Sequence, residues 1–329
     1  LAAMGVKAVP TLVEKLGDKD AKMRRRAAET LGLIADLSAL TALVGALGDD
    51  DAEVRKQAAR ALGKIKASGA TARLIDMLDD DNVELCRYAA EALGEIGSAQ
   101  AIPKLVSSLT SSSGDLRDTA VQALVKIGNE AVDELIGLLR HESAHGRLHA
   151  ADALGRLGDA RSFDALVSAL DDPDPRVRHY AAEALGKVGH VDVQRAVRSL
   201  LPLLKEKHRD IRSVAINALR DLGGPVAVEA LVVMLHGTIL ERRTAALRAL
   251  GQIGTEPALD GVASVLHLEN DELDEQAALA LAGAGPEHLP RLLDMLIADQ
   301  PRIRGAALAA LRAMGADAIQ ALVEYTHGK

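Results

Sequence analysis

The sequence predicts an all-α fold, an α-solenoid of about ten stacked helical hairpins of about 31 residues each, and three observations lead there. Segments such as AETLGLIAD, ARALGKIKA, AEALGEIGS, ADALGRLGD and LAALRAMGA recur through the chain. Their shared leucines, Leu31, Leu62, Leu93, Leu124, Leu154, Leu185, Leu219, Leu250, Leu281 and Leu311, stand 30, 31 or 34 residues apart, and self-similarity at such a period marks a repeat architecture. Each repeat also carries two apolar patterns with helical spacing. Finally, only four of the 329 residues are aromatic, Tyr88, Phe163, Tyr180 and Tyr325, although 48% are apolar. A wide single core is normally filled partly by large rings, so this composition suits thin layers of small aliphatic residues instead.

Counting the shared leucine as position zero, alanine stands at −4 in all ten repeats, from Ala27 and Ala58 to Ala307. At 100° per residue, positions −8, −4, −1, 0 and +3 share one arc, the apolar stripe of an amphipathic helix. This is the second helix of each repeat. Glycine occupies +4 in eight of ten repeats, including Gly97, Gly158, Gly189 and Gly254, where a left-handed residue ends a helix. A first-helix pattern follows, as in Ala101, Ile102, Leu105, Val106 and Leu109. Asp-rich turns come next, such as Asp49-Asp50-Asp51 and Asp79-Asp80-Asp81, and supply anionic N-caps for the next second helix. One hairpin cannot bury its apolar faces alone, so neighbours must stack, and the alanines at −4 and −1 let them approach closely. The 34-residue unit between Leu185 and Leu219 places its three extra residues in or beside Val191 to His208.

The register also sets an expectation about the start of the chain. Leu1-Ala2-Ala3-Met4-Gly5 matches Leu311-Arg312-Ala313-Met314-Gly315, so residues 1–329 read as a single solenoid that opens inside a helix of an earlier repeat. It is expected to be a fragment of a longer chain, with upstream residues, another domain or a second copy covering Leu1, Met4, Val6 and Val9.

Arginine stands at −7, inside the apolar arc, in eight repeats: Arg24, Arg55, Arg117, Arg147, Arg178, Arg212, Arg243 and Arg304. The expected arrangement lays the stem on apolar surface and ties the guanidinium to acids or carbonyls of adjoining turns. Cys86 and Asp274 break the pattern in repeats three and nine.

These residues carry a family resemblance. The pattern V-R-x-x-A-A-x-A-L-G-x-I-G followed by A-x-x-x-L, in Val54 to Ile65 and Val177 to Leu200, resembles the HEAT repeat. The short glycine-rich form is most similar to the HEAT-like repeats of phycobilisome lyases. The resemblance covers essentially the whole chain and implies a superhelix whose concave side is lined by the second helices. It also implies a ladder of Asp and Arg along the stack, and leaves activity open.

Composition narrows the function classes. With 39 Lys and Arg against 47 Asp and Glu, the net charge is −8, so no global positive field draws the protein to nucleic acid. No apolar run approaches a membrane span. The single cysteine, Cys86, forms no intramolecular disulfide and leans toward a reducing compartment. The chain is thus expected to be a cytoplasmic protein of a bacterium.

His141-Glu142-Ser143-Ala144-His145 matches the H-E-x-x-H signature of zinc proteases, in which both histidines share one helix face. The repeat register instead spreads it across a turn. No metal and no cofactor are assigned; were a metal held there, its ligands would be His141, His145 and His149. Deoxyhypusine hydroxylases, which resemble this repeat, hold iron through His-Glu pairs at −6 and −5. None survives here: His179 is followed by Tyr180. HEAT-like DNA glycosylases use a basic, aromatic face, and this chain has no tryptophan.

Positions −9, −6, −5, −2 and +2 lie opposite the apolar stripe and vary freely between repeats. Repeats one and two place there Lys22, Arg25, Arg26, Lys56, Arg60 and Lys64 against Glu29 and Glu53, a net of +4. Repeats three to six add Arg87, Tyr88, His145, His149, Arg156, His179, Tyr180 and Lys187, and Tyr and Arg are enriched in binding hot spots. The sequence is therefore read as a noncatalytic scaffold that binds a protein or peptide segment, of acidic character, on this face. A bilin-lyase-like or metal-dependent enzyme activity on the same scaffold is the alternative.

Overall fold

The computed structural model describes residues 5–222, 224–267, 271–285 and 288–315. Among the described residues there are α-helices and short 3-10 turns but no strand. The chain divides into two compact units, Leu1–Ala169 and Leu170–Lys329, each an all-α solenoid segment. The first contains α1 (Val9–Lys15), α2 (Ala21–Ile34), α3 (Leu40–Ala46), α4 (Ala52–Ile65), α5 (Thr71–Met77), α6 (Val83–Ile96), α7 (Ile102–Ser108), α8 (Gly114–Ile127), α9 (Val132–Leu138), α10 (Ala144–Leu157) and α11 (Phe163–Ala169). The second contains α12 (Pro175–Val188), α13 (Val193–Leu200), α14 (Arg209–Asp221), α15 (Gly224–Leu235), α16 (Leu240–Ile253), α17 (Glu256–Ser264), α18 (Asp271–Gly283), α19 (Leu289–Leu296) and α20 (Pro301–Met314). Even-numbered helices are the second helices of the repeats.

Local chemistry sets where these helices start. The side chains of Asp20, Asp51, Asn82, Ser113, Ser143 and Asp174 accept backbone N–H groups of the first turns of α2, α4, α6, α8, α10 and α12, satisfying donors that have no partner within the helix. In the turn Asp79–Asp81 the cap is therefore the next residue, Asn82. Asp80 braces the turn, its carboxylate accepting the Asn82 N–H at 2.8 Å.

Helix ends follow the glycine rule only in part. Gly97, Gly158 and Gly254 are left-handed, with φ of 72°, 68° and 68°. Ala35 and Lys66 adopt the same conformation without glycine, at φ 56° and 54°. Gly189 departs from expectation: its φ of −67° is right-handed, and the chain runs on into a 3-10 turn over Gly189–Val191. Its glycine serves packing, since a β-carbon there would meet Ala196 Cβ at 2.9 Å and a methyl of Leu222 at 2.5 Å. The 34-residue repeat absorbs its extra residues by continuing α13 into a five-residue 3-10 turn, Leu201–Lys205.

Within each unit the second helices stack directly on one another, α2 on α4, α4 on α6, α6 on α8 and α8 on α10, and likewise α12 to α20. First helices such as α3, α5, α7 and α9 pack against their own second helix. The shared leucines from Leu31 to Leu281 and the −4 alanines are sealed between layers; Leu62, Leu185, Ala58 and Ala181 are fully buried. Ala58→Leu or Ala181→Leu should therefore lower stability by about 1–3 kcal/mol through overpacking, read as a lower thermal midpoint. An unchanged midpoint would place these alanines on another face.

A tighter contact lies one residue beyond the shared leucine where that residue is Gly32, Gly63 or Gly94. A β-carbon on Gly32, Gly63 or Gly94 would lie 2.8, 2.9 or 2.7 Å from the Cα of Ala61, Ala92 or Ala123 in the next repeat. Helix backbones thus touch across the stack at a Gly–Ala pair. Of the apolar residues expected at the N-terminal face, Leu1 and Met4 lie outside the described residues, Val6 is exposed and Val9 is buried.

Candidate interaction face of the second helices

The −7 arginines lie between the core and this face. Arg24 donates to the carbonyls of Asp18 and Lys19 in its own turn, and through Nε and Nη2 to both carboxylate oxygens of Asp49 in the next repeat, each at 2.7 Å. Arg55 binds the carbonyls of Asp49 and Asp50 and approaches Asp80 at 3.9 Å. Arg178 binds those of Asp172 and Pro173 and pairs with Glu206 at 2.9 Å. Arg147, Arg212 and Arg304 hold their own turns in the same way. Arg24, Arg55 and Arg178 thus form rungs of the expected ladder, and each of these arginines locks the turn before it to its own helix, as do Arg147, Arg212 and Arg304.

The two atypical rungs have their own solutions. The thiol of Cys86 donates to the Asp80 carbonyl at 3.1 Å, the acceptor an arginine would use, and burial pushes its pKa up. Asp274 reverses the charge, and Arg302 from α20 reaches it at 2.6 Å.

The paired arginine holds the Asp49 carboxyl below its ordinary pKa, chiefly through the hydrogen bonds from Arg24. A depressed folded-state pKa contributes stability above the unfolded value of about 3.9, lost as pH falls through the folded value. Asp49→Asn should therefore be less stable than wild type near pH 7, with the gap narrowing as pH falls below the unfolded value, as read from urea midpoints. An equal gap at both ends of the range would contradict this.

On the outward side, α2, α4 and α6 present the cationic patch. Lys56 Nζ lies 5.1 Å, Arg60 Cζ 5.8 Å and Arg87 Cζ 4.3 Å from the centre of the Tyr88 ring, within reach of cation–π attraction. Lys56 also donates to Glu53 and Glu84, both at 3.0 Å. Those bonds, that to Glu84 first, raise its pKa and offset its charge. Lys22, Arg25 and Arg26 stand on α2 beside this cluster, Lys22 and Arg26 exposed and Arg25 half-buried.

The remaining candidates separate from it. His149 accepts from Arg117 Nε at 3.0 Å, replacing the turn acid that Arg117 lacks, since His141 occupies that place. Arg156 approaches Asp152 on its own helix at 3.9 Å. His179 and Tyr180 belong to the second unit and meet edge to face, ring centres 5.4 Å apart.

The H-E-x-x-H run does straddle a turn. His141 precedes the capping Ser143, whose N–H it accepts through Nδ1 at 3.0 Å, and His145 lies in the first turn of α10. Among the described residues no group of three or more His, Cys, Asp or Glu could hold a metal ion. Nor is any described helix long and apolar enough to cross a membrane. His208 stands at the N-cap of α14 without a side-chain hydrogen bond to the helix.

The cation cage around Tyr88 was only partly legible. Positions −6, −5 and −2 mark the residues as outward-facing, but the register does not show that neighbouring repeats bring Arg60 and Lys56 onto one ring.

Comparison with known proteins agrees with this architecture. The chain is similar in fold to importin beta, with a TM-score of 0.58 and 15% identity over 100% of this chain and 55% of that one. It is also similar to the karyopherin Kap121p in a structure bound to the extreme C-terminus of the protein phosphatase Cdc14p, with a TM-score of 0.59, 16% identity, 98% of this chain and 43% of that one. It thus spans about half the length of these karyopherin chains. The complex of CpcE and CpcF of phycocyanin lyase from Nostoc sp. matches with 27% identity over 74% of this chain and 93% of that one, at a TM-score of 0.39. No curated protein sequence matches the chain. HEAT repeats match residues 9–94, 84–145, 132–220, 163–251 and 197–282, and the chain belongs to the HEAT-repeat family.

Proposed function

We propose that this chain is a noncatalytic scaffold that binds an acidic protein or peptide segment on the outward side of its second helices, centred on Tyr88. The observation that carries this reading is the cluster of Lys56, Arg60 and Arg87 around one tyrosine ring. It is a pre-positioned aromatic and cationic anchor on a rigid helical surface, and such residues dominate binding energies where they occur. The similar Kap121p structure, bound to a protein C-terminus, supports a peptide segment as the kind of ligand. Arg25 and Arg26 extend the positive field along α2 and would steer association, while Lys56, already paired with two glutamates, would contribute less to it.

Quantitative affinity capture with the full chain tests the reading, comparing wild type with a variant carrying Tyr88→Ala, Arg60→Ala and Arg87→Ala. The expected result is a protein retained by wild type and depleted about tenfold or more on the variant, a difference of about 1.4 kcal/mol. Equal retention of every captured protein by both would reject the Tyr88 face.

A further inference from the structure

We infer a second binding site, on the first-helix side of the second unit, for a peptide segment that combines acidic residues with apolar anchors. The groove has a volume of about 580 Å³ and runs between α13 with its 3-10 extension, α15 and the start of α16. This volume is in the range of ordinary ligand sites. Its apolar surface comes from Leu201, Pro202, Val233, Met234 and Ile239, with Val233 69% and Ile239 45% exposed. Its charged lining residues are Arg198, Lys205 and Arg242, and no acid lines it. None of these cations is paired with an acid among the described residues; Arg198 reaches only the Gln194 carbonyl of its own helix. Apolar floor and unbalanced positive rim together call for carboxylates beside aliphatic or aromatic side chains, the chemistry of an amphipathic segment laid in a groove.

The sequence departs from its own repeat at this groove. At the place of Val233 in the first helix, other repeats carry Glu14, Asp76, Ser107, Ser168, Ser264 and Asp294, or glycine or proline. At the place of Ile239, repeats one to six have a capping Asp, Asn or Ser; Ile239 stands at the N-cap of α16 with no side-chain hydrogen bond. The turn before it reads Gly237-Thr238-Ile239, with glycine where five other repeats have Asp18, Asp49, Asp80, Asp172 or Glu206, and Arg243 donates to the Leu235 carbonyl instead. A cap favourable to the fold is given up for exposed apolar surface in the repeat that follows the one lengthened to 34 residues. Departures from local consistency of this kind are expected where a surface serves binding.

The test is selection of a random peptide library on the immobilised full chain, with counter-selection on Ile239→Asp. That substitution restores the missing cap, so its thermal midpoint should equal or exceed that of wild type, and a loss of binding cannot be put down to unfolding. The expected outcome is peptides that carry acidic and apolar residues together. Their affinity should fall about tenfold or more in Ile239→Asp and in Arg198→Glu with Arg242→Glu, and remain unchanged in Tyr88→Ala. The inference is overturned if no peptide is enriched over a control protein, if the enriched peptides are neutral or basic, or if they bind Ile239→Asp like wild type. Self-association of the chain that Ile239→Asp abolishes would likewise overturn it, by making a second copy the occupant.

Discussion

Gly94→Leu should destabilise the first unit by about 3 kcal/mol or more, at or above the upper end of overpacking costs. A β-carbon at Gly94 would lie 2.7 Å from Ala123 Cα and 2.9 Å from its Cβ, so α6 and α8 must separate to admit it, and the leucine branch adds further atoms to the same seam. Helix propensity opposes this effect, because glycine is about 0.8–1.0 kcal/mol poorer than alanine inside a helix. Packing wins, since its cost is larger and the obstructing atom belongs to backbone. Gly94→Ala should thus also be destabilising despite its better propensity. Gly137 in α9 provides the control: nothing lies within 4 Å of a β-carbon there, and Gly137→Ala should leave stability unchanged or raise it by a few tenths of a kcal/mol to about 1. Urea unfolding checks the three variants, with hydrogen exchange in α6 and α8 to localise the loss, because repeat arrays can unfold in parts. A Gly94→Ala variant as stable as Gly137→Ala would mean that the second helices do not touch where described.

Leu124→Ala should cost about 2–5 kcal/mol, the range for emptying a leucine site in a packed core. Leu124 is fully buried on α8, between α6 and α10, and every surrounding layer is built of small aliphatic residues that have little reach to refill the space. Leu33→Ala, by contrast, should change stability by no more than about 0.5 kcal/mol, as for a surface substitution, because Leu33 is 69% exposed on α2. The two leucines differ only in their phase on equivalent helices, so the contrast tests the phase itself. Equal losses would contradict it.

Much of this architecture was legible because its signals are periodic. The −4 alanines and the shared leucines repeat ten times and turn acids recur in most repeats, and each repetition reinforces the same helix phase and boundary. Asp51 and Asp174 cap helices where the pattern places them, and Arg24, Arg55 and Arg178 form the ladder that their position implies. What escaped was aperiodic or lay between repeats. The glycine that follows six of the ten shared leucines is visible in the sequence, but its reason at Gly32, Gly63 and Gly94 is a backbone of the next repeat, which one repeat does not display. Gly189 shares the position of the helix-ending glycines and yet is right-handed, and what it needs is the absence of a side chain beside Leu222 and Ala196.

The interaction face divides in the same way. Lys22, Arg25 and Arg26 are outward-facing as their register requires, whereas His149 is drawn away to serve Arg117. That exchange depends on His141 standing where another repeat has an acid, a substitution whose consequence appears only once the turn and the next helix are folded together. The groove beside Ile239 lies outside the expected face because first-helix residues, Val233 and Met234 among them, line it. Its signal was nonetheless present, as valine and isoleucine at positions that elsewhere are polar, glycine or proline.

Titration calorimetry of the captured partner with wild type and with Tyr88→Ala decides whether Tyr88 and its cations anchor a protein-binding face. The account predicts a loss of about 2 kcal/mol or more, roughly thirtyfold in Kd, expressed mainly as faster dissociation, with the thermal midpoint of the free protein little changed. A partner that binds Tyr88→Ala with the affinity it shows for wild type would contradict the account.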